Sequence, residues 1–196
     1  MLVEEVLLAL KHVWITLESL NAPMAVMGGI ALSAWKYPRA TQDVDLLIGL
    51  EEGDEEFVLQ KLAAARIRAK RQPPFVTLGR LRMVQLLYEP PETYLDLQID
   101  LLLADCEYQK EALKHRCLVH LPNLEIAVAV LSCEDLILHK LLAGRIVDRA
   151  DAAMLLRTNR SAMNLDYLAR WSQKLTLTKE IAEIWGEAFP GEPLPS

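Results

Sequence analysis

The chain has 196 residues, 52% of them hydrophobic, with a formal net charge of −6. That length fits one domain, or one domain with a helical appendage, around a real core. The negative balance argues against a general nucleic-acid binder, and the apolar runs, such as the one around Leu124 to Leu131, stop short of the roughly 20 residues that a bilayer requires.

No solenoid period repeats along the chain. The opening "MLVEEVLLALKHVW" carries acids where a signal peptide carries bases, so a soluble, unexported, cytoplasmic protein is expected. Cys106, Cys117 and Cys133 lack metal-ligand spacing and are read as reduced thiols in packing roles. Charge is unevenly placed. "EEGDEE" at 51–56 is acidic, whereas Phe57 to Tyr88 contains no acid and seven bases, Lys61, Arg66, Arg68, Lys70, Arg71, Arg80 and Arg82.

In chain order, residues 3–20 predict a helix with Leu7, Leu10, Val13, Ile15 and Leu17 on its apolar positions, ended by Asn21-Ala22-Pro23. "MAVM" reads as a short buried strand, broken by Gly28-Gly29. "IALSAWKY" gives two helical turns before Pro38. "DVDLLI" alternates, which places Asp43 and Asp45 on one face of a strand. A helix at about 54–65 follows, then strands at "RLRMVQLLY" and "YLDLQIDLLLA", with "PPFVTLG" and "EPPET" as turns. After a mixed stretch at 106–131 the chain becomes helical, beginning at Ser132, which has an acid three residues on at Asp135. The expected organisation is an α/β (α+β) core at 1–131 with a soft boundary near Asn123 to Ser132, a helical C-terminal part at 132–196, and a loose Pro-rich tail.

Two carboxylates on one strand face raise each other's pKa unless a cation lies between them. Hard oxygen ligands of this kind suit Mg²⁺ or Mn²⁺, completed by phosphate and water. On the second strand Asp96, Gln98 and Asp100 form a polar stripe, and Asp100, deepest in the apolar run, is the expected third ligand with Asp96 as fallback. The alternative left open is that Asp43 and Asp45 are solvated at the start of an edge strand.

Gly28-Gly29, a short helix, Asp43-Val44-Asp45 and then Asp100 resemble the nucleotidyltransferase superfamily, of polymerase-beta-like fold. "GGIALSAWKYPRATQDVDLLI" together with "EDLILHKLLAGRIVDRADAAMLL" most resembles the minimal bacterial enzymes around the AbiEii type toxins, over about two thirds of the chain. The resemblance implies a mixed sheet with flanking helices and transfer of a nucleoside monophosphate from an NTP to a hydroxyl, with release of pyrophosphate. It implies Asp43, Asp45 and Asp100 as metal ligands for Mg²⁺ or Mn²⁺. It also implies that Gly28, Gly29, Arg39, Thr41 and Lys140 hold nucleotide phosphates, with Asp151 near the metal site. Arg39 and Thr41 match the family's R-x-T-x-D-x-D form. The family frequently has Ser where this chain has Gly29, so backbone contacts must suffice there, unless Ser33 substitutes.

The ordinary reading of the second block is also open: Gly144 at a helix C-terminus, bases complementing the dipole, and Asp148 as the N-cap of the next helix. Lys140, flanked by "LILH" and "LLAG", is the stronger phosphate candidate. The acceptor is left as a tRNA end, a protein side chain or a small molecule, with an antitoxin protein as a further partner. The basic stretch from Lys61 to Arg82 is a candidate acceptor surface for RNA or another anion, with Phe75 the single aromatic nearby. The rival is a non-catalytic protein of the same fold that binds a nucleotide or a partner. His12, His115, His120 and His139 lack zinc spacing, His139 being read as a satisfied core residue, and the four Trp residues as core fillers. Base preference and oligomeric state are not legible in the sequence.

Overall fold

A computed structural model describes residues 4–78, 81–91, 93–121 and 124–194. Arg80 and Asn123, both used in the readings above, lie outside these residues. The first helix, α1 (Glu4–Glu18), buries Val6, Leu7, Leu10, Val13, Trp14 and Leu17. That stripe recurs every three or four residues and leaves Ile15 about half exposed, so the expectation for Ile15 is corrected: it falls outside the arc that meets the sheet.

β1 (Met24–Met27) runs directly into α2 (Gly28–Ala34), so the glycine pair opens the helix rather than preceding it. β2 (Asp43–Ile48) and α3 (Glu55–Ala64) follow. Then come β3 (Ile67–Ala69), β4 (Phe75–Leu78), β5 (Leu81–Tyr88) and β6 (Leu97–Leu103). The segment expected as a turn at "PPFVTLG" is therefore partly a strand, which pairs antiparallel with β5. The mixed stretch resolves into α4 (Glu107–Lys114), β7 (Cys117–His120) and β8 (Ala127–Val130).

These strands form one mixed sheet in the order β3-β5-β6-β2-β1-β8-β7, with β4 also on β5. The pairs β2–β6 and β1–β8 are parallel and the others antiparallel. The architecture is a mixed α/β sheet flanked by helices, as the sequence led us to expect. Val44, Leu46, Ile48, Ile99 and Leu101 are buried, and their alternation with polar neighbours fixes the register, because a one-residue slip would bury the aspartates and expose the core.

The helices α5 (Cys133–Ala143), α6 (Ile146–Asn159), α7 (Leu165–Lys174) and α8 (Thr178–Ala188) follow the last strand. Ser132 caps α5 by accepting from the Asp135 backbone N–H at 3.1 Å, while its hydroxyl donates to Asp135 Oδ2 at 2.7 Å. Gly144 closes α5 with φ +69°, a left-handed conformation that glycine adopts without strain. Asp148 is not an N-cap: Arg145 occupies that position, and Asp148 lies inside the first turn of α6, fully buried.

Candidate active site

The register of the parallel pair places Asp45 opposite Asp100, with Asp43 opposite Gln98. On the other side of Asp45 lies Met27, and on the other side of Asp100 lies Gln85. Directly opposed residues share a face, so Asp45, Asp100 and Gln85 form a cross-strand row at one level of the sheet. This row lies in a cleft of about 1010 Å³, whose walls also include Gly28, Gly29, Arg39, Thr41, Lys140 and Arg145. Acids that were merely solvated at a strand end would not share such a cleft with Gly28 and Lys140.

Each glycine clears room for a side chain. Gly28 has φ +61°, and a Cβ there would lie 1.8 Å from Asp45 Oδ2. A Cβ at Gly29 would lie 2.6 Å from Thr41 Oγ1 and Cβ. The Thr41 side chain packs against that backbone. Thr41, itself buried, donates to Asp43 Oδ1 at 2.7 Å and so fixes the orientation of that carboxylate.

Burial pushes the Asp45 carboxyl up to about 7, with further upward contributions from Asp43 and Asp100 and partial relief from Lys140 and Arg145. Burial also raises Asp100, opposed by hydrogen bonds from Gln98 at 2.9 Å and Gln85 at 3.4 Å, both to Oδ1. Asp96 instead meets Arg68 through two bonds of 3.0 and 2.7 Å at the exposed rim, just before β6 begins.

Opposite the acids, Lys140 is buried and donates to Asp148 Oδ1 and Asp151 Oδ2, each at 2.8 Å. Arg39 reaches Asp151 at 3.1 Å, and Arg145 binds Asp148 at 2.6 and 3.2 Å. Three cations thus share two buried carboxylates and leave a net positive wall facing the aspartates. Asp151 was expected near the metal. It does not line the cleft; its carboxylate is turned to Lys140 and Arg39, which it orients from behind.

Among the described residues no three His, Cys, Asp or Glu side chains converge closely enough to form a complete metal cage. The donor set nevertheless fits Mg²⁺ or Mn²⁺, which retain waters and commonly take only one or two carboxylates together with substrate phosphates. The raised pKa of Asp45 is the electrostatic counterpart: a carboxylate short of positive charge.

His139, on the cleft-facing side of α5, is pushed down to about 4 by burial and is neutral at pH 7. Neither ring nitrogen has a partner among the described residues, so it is not the satisfied core histidine that was expected. Trp14, Trp171 and Trp185 do fill the core, while Trp35 is half-buried and donates to the Leu131 carbonyl at 2.9 Å. Sequence reasoning missed Gln85, placed Gln98 on the polar stripe beside Asp100 without giving it a role, and read Arg145 only as one of the bases near a helix end. A neutral amide carries no signal of its own, and the position of Gln85 is set by strand register.

The profile of the family described as "Nucleotidyl transferase AbiEii toxin, Type IV TA system" matches residues 9–176. No curated protein matches the chain in sequence. Among solved structures, JHP933 from Helicobacter pylori is similar at 16% identity and TM-score 0.51, covering 99% of this chain and 84% of that one. The antibiotic-resistance factor ANT(2'')-Ia is similar at 14% identity and TM-score 0.54, covering 90% of this chain and 96% of that chain. TM1012 from Thermotoga maritima gives 18% identity and TM-score 0.54 over 77% of this chain and 91% of that one. At these identities the likeness is one of fold.

Proposed function

We propose that this chain, which belongs to the AbiEii nucleotidyltransferase family, is a metal-dependent enzyme that transfers a nucleoside monophosphate from an NTP to an acceptor hydroxyl. The observation that carries this reading is the cross-strand pair Asp45 and Asp100, with Asp43 beside it, facing the cations Arg39, Lys140 and Arg145 across one cleft.

Asp43, Asp45 and Asp100 would hold Mg²⁺ or Mn²⁺, which when bound neutralises charge on the phosphates and on the attacking hydroxyl. Thr41 holds Asp43 in place for that role. Lys140, Arg39 and Arg145 face the triphosphate, and Gly28 and Gly29 let it approach the backbone. The acceptor oxygen forms a bond to the α-phosphorus, the bond to the leaving pyrophosphate breaks with its electron pair, and Asp100 receives the hydroxyl proton. Gln98 and Gln85, which donate to Asp100 Oδ1, hold its carboxylate in place. No Ser or Cys nucleophile is required, because positioning and electrostatics supply most of the rate in phosphoryl-type transfer.

In this reading the helical segment 132–196 closes the nucleotide against the core at 1–131, the reaction takes place in the cytoplasm, and the chain is the toxin of a toxin–antitoxin pair. The family's description supports the pairing with an antitoxin. The acceptor is a tRNA end, a protein side chain or a small molecule. The test is incorporation of label from α-³²P NTPs into cell extract with Mg²⁺ or Mn²⁺. Incorporation accompanied by pyrophosphate, and lost by at least a hundredfold in Asp45→Asn, is expected. Equal incorporation by the variant would contradict it, and a nucleotide-binding protein without transfer activity would be the reading that replaced it.

A further inference from the structure

The row of residues through the acids does not end at Gln85. The Lys70 backbone N–H donates to the Gln85 carbonyl at 2.8 Å, which extends the β3–β5 ladder by one residue and sets Lys70 beside Gln85. Arg68, two residues earlier, meets Asp96 on the same side of the sheet. One level of one face therefore reads Asp45, Asp100, Gln85, Lys70, from the triphosphate side outward. Lys70 lies two strand spacings from Asp100, about 10 Å along the sheet.

The structure divides the basic stretch in two. Arg82 lies on the opposite face, where it stacks over Phe75 at 5.2 Å and pairs with Glu55 at 2.7 Å. Arg68 is neutralised by Asp96. Lys70 and Arg71 are exposed and have no carboxylate partner among the described residues. Lys70 donates to Gln98 Oε1 at 2.6 Å, and Arg71 donates to Gln85 Oε1. Both amides in turn donate to Asp100. Amide oxygens are neutral, so both positive charges remain available.

In the proposed reaction the pyrophosphate leaves toward Lys140, and the acceptor must enter in line from the opposite side, across Asp100 and Gln85 toward Lys70. We infer that Lys70 and Arg71, carried on Gln98 and Gln85, form an acceptor subsite for a phosphate group attached within about two strand spacings of the reacting hydroxyl. The subsite rests on the nucleotidyltransferase reading above. It selects an anionic acceptor, such as a sugar phosphate or the end of a polynucleotide, and disfavours a polycationic one. Phe75 belongs to the other face, so recognition runs through phosphate rather than through stacking on that ring.

The experiment saturates the protein with Mn²⁺ and an α,β-methylene NTP, then titrates a twelve-nucleotide single-stranded RNA with a free 3′-hydroxyl, ribose 5-phosphate, and ribose as neutral control. Wild type is compared with K70Q/R71Q, which keeps hydrogen-bonding capacity at both exposed positions and removes the charge. Expected is binding of RNA or ribose 5-phosphate at least tenfold tighter than ribose, and at least tenfold weaker in the variant. For RNA the slope of log affinity against log salt should shrink by about 1.4, near 0.7 for each lost charge. RNA binding without ribose 5-phosphate binding assigns the phosphate to a polynucleotide, and the converse assigns it to a small molecule. Equal binding by the variant, or no preference over ribose, overturns the subsite. The preceding nucleotide titration reads the two claims apart: no analogue binding refutes the nucleotide site, whereas analogue binding without the charge-dependent second event refutes the subsite alone.

Discussion

Asp45 bears most of the electrostatic strain of the cleft. Its folded pKa of about 7 exceeds the ordinary carboxylate value, so between those values the folded protein binds a proton that the unfolded chain has lost. Stability from this group is therefore present at low pH and is lost as pH rises toward and past 7. Asp45→Asn removes the charge at nearly constant volume. At pH 8 without divalent metal it should stabilise the fold by about 2 kcal/mol, allowing for solvent in the cleft. The difference should vanish near pH 4, where the wild-type carboxyl is protonated. Thermal melts at the two pH values check this, and a variant that melts at or below wild type at pH 8 would contradict it. The sequence made the pair Asp43 and Asp45 legible because period-two alternation places both on one face. It could not show that Asp100 sits opposite Asp45, or that Gln85 holds Asp100, since those facts arise from pairing between separate strands, whereas Gln98 stands two residues from Asp100 on the same strand and shares its face.

At the scale of elements, long periodic segments were readable and short polar ones were not. α1, α3, β2, β5 and β6 announce themselves through hydrophobic period. β3 and β7, of three and four residues, sit at the sheet edges and are too short to show a period. α4, with "EYQKEALK", is short and largely polar, and it is held by Tyr108, Ala112 and Leu113 rather than by a continuous stripe. The start of α5 was readable because its cap chemistry is local. Ser132 also supports Asp135, which burial raises and which accepts from Tyr167 at 2.9 Å, tying α7 to α5. Ser132→Ala should cost about 1 kcal/mol through loss of the cap. Chemical denaturation should show a lower midpoint with an unchanged slope, and an unchanged midpoint would mean that the cap contributes nothing net.

For the molecule as a whole, the division of labour follows from the sheet. One face of the central strands buries Val44, Leu46, Ile99 and Leu101, and the other presents acids toward a positive wall built on α5 and α6. Lys140 can occupy a largely apolar stretch of α5 because Asp148 and Asp151 accept from it, so hydrogen bonds hold its ammonium group without a nucleotide. Among the described residues no helix is long and apolar enough to cross a membrane. The measurement that tests the central claim most directly is calorimetric titration of the four NTPs, with Mn²⁺ or Mg²⁺, into wild type and into Asp43→Asn/Asp45→Asn. Metal-dependent binding by wild type, reduced at least a hundredfold in the folded double variant, is the predicted result; equal binding by both proteins, or none by wild type, would contradict the assignment of this cleft as a metal-dependent nucleotide site.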